Sequence, residues 1–99
     1  TIANTGAMLA FGSDAPVESP DPFAGLAAAF TRTDSDGQPF GGWRPQEAVS
    51  REQALAAFTA NASYAGFGEG RFGKLVVGER ADFVLVDQDP LLATPEQVR

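Results

Sequence analysis

A short apolar run at residues 7–11 (Ala-Met-Leu-Ala-Phe), closed by Gly6 and Gly12, constrains the fold of this chain more than any other feature. With no polar alternation, such a run suits a strand buried on both faces, as in a parallel sheet. It falls far below the ~20 apolar residues that a membrane span requires. Gly12, Ser13 and Asp14 follow, and then a loop punctuated by Pro16, Pro20 and Pro22. A helix opens next, with Asp21 placed to cap it and Pro22 at the first helical position, where a missing N–H costs nothing. Phe23, Leu26, Ala27 and Phe30 fall on one face of it. Strand, polar turn and helix in this order make half of a β/α unit.

Residues 31–49 form a polar, Gly-rich connection, long enough to be a functional loop or one without fixed structure. The next helix is announced by a capping box, Ser50 with Gln53 three residues on. Its apolar positions, Ala54, Leu55, Phe58, Ala62 and Ala65, have the 3/4 spacing of a packed helix, and Gly66, Gly68 and Gly70 stop it. Residues 73–78 and 81–87, joined by a short turn at Glu79 and Arg80, read as a hairpin of two β-branched runs. A second capping box, Thr94 with Gln97 and with Pro95 at the first position, opens a last helix near the end of the chain.

Length and charge narrow the function. A chain of 99 residues makes one small domain. Such a domain buries roughly 60–65% of its unfolded surface, which leaves a thin stability margin. Seven basic against thirteen acidic residues give a net charge of −6, which argues against nucleic acid and against an anionic membrane as partners. The absence of cysteine removes disulfides, thiolate zinc sites and cysteine nucleophiles. The absence of histidine removes the commonest general base and metal ligand. A self-contained active site of the usual kinds is therefore not expected. The opening Thr1-Ile2-Ala3-Asn4 carries neither a basic leader nor an initiator Met, so the chain reads as a cytoplasmic piece whose natural start lies upstream.

Several local signals dissolve on inspection. Gly66, Gly68 and Gly70 follow a helix and precede a strand, the reverse of a phosphate-cradling loop. If Gly37 held the sixth position of a calcium loop, Arg32 would stand first and Trp43 last, where a bidentate Glu is required. Asn61-Ala62-Ser63 matches a glycosylation sequon but lies inside the expected helix. Glu47, Glu52 and Glu69 read as solvated carboxylates at helix ends. Two residues stay open. Asp14, just past the carboxyl end of the expected strand, is either a functional group or a turn residue using its side chain locally. Trp43 either lines a pocket or anchors the long loop, which also carries Phe40.

Two segments together resemble the C-terminal part of family 3 of the amidohydrolase superfamily. The first is residues 9–17 (Leu-Ala-Phe-Gly-Ser-Asp-Ala-Pro-Val) with Asp21-Pro22, which looks like the last barrel strand and its catalytic Asp. The second is residues 73–87 with Asp89-Pro90, which resembles the return of the chain into a small β-sandwich. Between them, residues 43–45 and 50–62 look like the helix leading out of the barrel.

The resemblance implies an α/β fold: a fragment of a (β/α)8 barrel, with its last strand and following helices, plus part of the adjoining β-sandwich. The boundary would divide residues 1–70, barrel, from 71–99, sandwich. It implies part of a metal-dependent hydrolase acting on non-peptide C–N bonds of a small amide-type substrate, with zinc in the full-length protein. Asp14 would take a proton from the metal-bound water, touch the metal, and return the proton to the leaving nitrogen. Trp43 is the candidate substrate contact. Lacking histidine, the fragment alone would hold no metal and be inactive. It would require the rest of its barrel or self-association. The rival expectation is a small acidic α/β binding or assembly module without catalysis, in which the hairpin extends a partner's sheet.

Overall fold

A computed structural model describes residues 1–99. Its regular structure is helical: α1 (Phe23–Thr31), α2 (Arg51–Phe58), α3 (Ala60–Ala65) and α4 (Pro95–Val98), with single 3-10 turns at Ala3–Thr5 and Pro45–Glu47.

Three of the four helices start where a local side-chain contact meets the backbone. Asp21 Oδ1 accepts the Phe23 N–H at 3.0 Å, satisfying one orphan donor of α1, which begins one residue after Pro22. Ser50 and Gln53 close a reciprocal capping box on α2, with Gln53 N–H to Ser50 Oγ at 3.1 Å and Ser50 N–H to Gln53 Oε1 at 2.9 Å. Thr94 and Gln97 do the same for α4. The long apolar-periodic segment after Ser50 is not one helix. Thr59 leaves helical geometry at φ −122° and ψ −95°, and separates α2 from α3.

The core is small. Leu26, Ala27, Ala54, Ala93 and Val98 form it, flanked by the partly buried Phe23, Phe30, Val49 and Phe58. Alanines on the facing sides of α1 and α2 let the two helices approach closely. Gly25 extends that approach, because a Cβ there would stand 3.1 Å from the Phe58 ring. Arg51 ties the C-terminal segment to this core: its Nη1 donates to Pro90 O at 2.8 Å and to Ala93 O at 2.7 Å, and its guanidinium lies 4.2 Å from the Phe30 ring centroid. Arg99 Nη2 adds a bond to Thr33 Oγ1 at 2.7 Å.

The α/β expectation is corrected, since no residue pairs as a strand and neither a barrel strand nor a β-sandwich forms. Residues 7–13 run free of turn or bend, as a strand would. Their contacts, however, are to helices: Phe11 N–H donates to Ala57 O at 2.9 Å, and Asn61 Nδ2 donates to Leu9 O at 2.9 Å. The expected hairpin bends at Val77 and Gly78, where Glu79 N–H reaches Val76 O at 3.2 Å, but its two arms exchange no ladder of hydrogen bonds. The physical reason is that a strand is defined by its neighbour. The runs have strand composition, but no second extended segment pairs with them.

The same shortfall shows in the whole molecule. There are 41 backbone–backbone hydrogen bonds. A folded chain of this length is expected to make roughly 65–70. The radius of gyration is 14.0 Å. A compact domain of roughly 100 residues would have about 13 Å.

Candidate functional site

Asp14 opens a turn at residues 14–17 in the left-handed region, φ 54°, with its carbonyl accepting the Val17 N–H at 2.9 Å. Asp and Asn tolerate that conformation better than most residues. Its carboxylate is exposed and takes part in no hydrogen bond or ion pair. Trp43 is likewise exposed, held between two guanidinium groups, Arg32 at 5.0 Å and Arg44 at 5.1 Å from the indole ring. Arg32 also clasps its backbone: Trp43 N–H donates to Arg32 O at 2.8 Å, and Arg32 Nε donates to Trp43 O at 3.1 Å. Trp43 borders a recess of about 310 Å³ that includes Leu9, Phe11 and Val49 but not Asp14. The structure therefore does not bring the two sequence-selected residues together. Phe40 points to solvent.

The largest cavity lies elsewhere. It is an open trough of about 800 Å³ between α2–α3 and residues 72–86, with walls supplied by Leu55, Phe58, Phe72, Leu75, Phe83 and Val84. Lys74 and Asp82 also line it. The hydroxyls at its floor are engaged with backbone: Ser63 Oγ donates to Phe72 O at 2.6 Å, and Thr59 Oγ1 donates to Leu55 O at 2.7 Å. Neither has a base beside it, so the trough offers apolar surface rather than a nucleophile. Leu55, Phe58 and Ala62 were visible in the sequence as one helical face; what covers that face was not.

Electrostatics add one local feature. Arg80 Nε donates to Asp82 Oδ2 at 2.7 Å, and this hydrogen bond, with the carboxylate's charge, raises the guanidinium pKa above its ordinary value. Beside it, Glu79 Oε2 is enclosed without a hydrogen-bond partner, a costly state for a polar atom.

The family model described as the amidohydrolase family matches residues 1–99. The chain belongs to that family. It is 31% identical over 98 residues to the protein named "Putative amidohydrolase YtcJ" of Bacillus subtilis (strain 168), covering 99% of this chain and 18% of that protein. It is 35% identical over 86 residues to Protein LONG AFTER FAR-RED 3 of Arabidopsis thaliana, covering 87% and 14%. It is 26% identical over 99 residues to the N-substituted formamide deformylase of Arthrobacter pascens, covering 100% and 18%. The chain thus spans less than a fifth of the length of these relatives. No solved structure matches it.

Family membership does not carry the barrel or the metal centre into these residues. No group of three or more His, Cys, Asp or Glu side chains is placed to hold a metal ion. The expectation of a zinc-dependent hydrolase fragment is corrected on that ground and on the absence of any strand. The donors this chain offers do not fit zinc, which takes about three protein ligands in a catalytic site and favours His and Cys among them. No helix is long and apolar enough to cross a membrane.

Proposed function

We propose that this chain is a non-catalytic assembly module, which docks its apolar, backbone-unpaired segments onto another polypeptide surface. One observation carries the reading: residues 83–88 exchange no backbone hydrogen bond with anything in the chain, although Phe83, Val84 and Leu85 are large, apolar and exposed. Apolar surface and free backbone groups together are the two requirements for strand addition to a partner. The enclosed, unpartnered Glu79 Oε2 beside that run supports it, since a donor from outside would satisfy the atom. An amide-type substrate has no place here, because no metal donors or proton-transferring pair meet. The reading keeps the chain in the cytoplasm, where a chain without cysteine loses nothing to the reducing milieu.

The test is complementation. The chain is mixed with the Bacillus subtilis relative lacking its matching segment. Binding by calorimetry and slowed exchange of the Val84, Leu85 and Val86 amides are expected, both unaffected by Asp14→Ala. Absence of binding, with those amides still exchanging freely, would reject an assembly role.

A further inference from the structure

We infer that the recess beside Trp43 binds a small monocarboxylate with a compact apolar body, its carboxylate taken by the guanidinium groups of Arg32 and Arg44. The recess shares no residue with the trough along residues 72–86, so the site stands apart from the assembly reading.

Charge makes the first argument. In a chain of thirteen acidic and seven basic residues, both of these guanidiniums stand against one indole, at 5.0 and 5.1 Å from its ring. Arg32 spends its Nε on Trp43 O and leaves both terminal nitrogens free toward this loop, while the Arg44 side chain donates to nothing in the chain. Glu47, the one carboxylate lining the recess, pairs with neither of them; the chain's ion pair joins Arg80 to Asp82. Cations held together repel, and an indole face offsets only part of that cost. A shared anion removes the repulsion and takes up the idle donors, in the forked geometry that a guanidinium offers a carboxylate.

The backbone makes the second. Arg32 and Arg44 both occupy the left-handed region, at φ 60° and 49°, which a long side chain adopts at a cost. The loop is pressed onto the end of α1: a Cβ on Gly42 would collide with Thr31 O, and Trp43 N–H is bonded to Arg32 O. Backbone held this way places both arginines before a ligand arrives, which lowers the cost of binding.

Shape makes the third. The recess of about 310 Å³ is walled by Ile2, Leu9, Phe11 and Val49. Three of these walls are fixed to helices, since Asn61 holds Leu9 O, Phe11 N–H reaches Ala57 O, and Val49 N–H reaches Ala29 O. That volume stands at the lower end of the ligand-pocket range of about 300–1,000 Å³ and suits one small ring rather than a lipid chain. Apolar walls and a cationic rim select the two ends of the ligand separately.

Trp43 is the single tryptophan of the chain, so its fluorescence reads the site directly. Titration with cyclohexanecarboxylate should change that emission saturably, with a dissociation constant of about 1 mM, the order a ligand of so few atoms reaches. Cyclohexanecarboxamide has the same shape without the charge, and acetate has the charge without the body. Each should bind about tenfold more weakly or worse. Arg44→Gln, which removes a guanidinium that holds nothing in the chain, should weaken cyclohexanecarboxylate binding about fivefold. Glu47→Gln deletes the opposing carboxylate and should tighten binding about twofold, a gain that a damaged loop cannot produce. No saturable change with cyclohexanecarboxylate, equal affinity for the amide, or an affinity unmoved by both substitutions would overturn the inference.

Discussion

The helical half of the molecule and the segment from Arg71 to Gln88 are both rich in apolar residues, yet only one of them is internally complete. In α1, α2 and α4 the backbone satisfies itself within a few residues, caps close the ends, and Leu26, Ala27, Ala54 and Val98 share a core. In residues 83–88 the backbone bonds to nothing, and Phe83, Val84 and Leu85 stay largely exposed. A helix finds its hydrogen-bond partners four residues away, whereas an extended run must find them on another segment. Composition of the β type is therefore not sufficient for a strand, and the part of this chain that lacks a neighbour is the part available for assembly.

The largest effects should fall in the helical half. Leu26→Ala should cost about 2–4 kcal/mol in a chemical melt followed by circular dichroism. In so small a core that loss should leave much of the population unfolded at ambient temperature. A smaller loss would mean that the core is plastic and the contrast with residues 83–88 less sharp. Next, at about 1–3 kcal/mol, comes Gly73→Ala where the second segment is pinned against α3, because Gly73 sits at φ 106° and a Cβ there would lie 2.6 Å from that of Ser63. Ser50→Ala and Thr94→Ala should each cost about 1 kcal/mol, removing the acceptor of a capping box. Their effects should add, since the two caps share no partner.

The extended segment should behave in the opposite way. Val84→Lys should change the melt by less than about 0.5 kcal/mol, while abolishing binding to the truncated relative. A large destabilisation would show that this run belongs to the core after all. Smallest of all is the effect expected for Asp82→Asn near neutrality, because the Arg80–Asp82 pair stands in solvent. The raised pKa of Arg80 means that whatever the pair contributes through that group is present at all lower pH and is lost only as pH rises through the folded-state value, in strong alkali. Thermal midpoints between pH 6 and 9 should show no step from Arg80, and a step removed by Asp82→Asn would contradict the assignment.

Both capping boxes could be read from the sequence because each is a contact over three residues, and Asp21 does hold the Phe23 N–H, although Pro22 rather than Asp21 stands at the N-cap. The break at Thr59 could not: the apolar spacing continues straight through it, from Leu55 and Phe58 to Ala62. Family membership was also legible, carried by ordered motifs along the chain and matched over residues 1–99. The barrel strand, the sandwich hairpin and the metal centre did not follow from it, because each depends on groups that these residues do not place together. The apolar trough beneath residues 72–86 had one visible wall, the Leu55–Phe58–Ala62 face, and no sign of the other.

By itself, then, the sequence determined where helices begin, which charges dominate, and which chemistries have no residues to perform them. Those properties are local or additive. Only the tertiary structure decided that the three strand-like runs pair with no neighbouring strand, that Asp14 and Trp43 lie apart, and that the apolar face of α2 and α3 opens into a trough. Each of those outcomes depends on which distant segments lie side by side, and a run of residues has no means of specifying a neighbour that the chain does not fold against it.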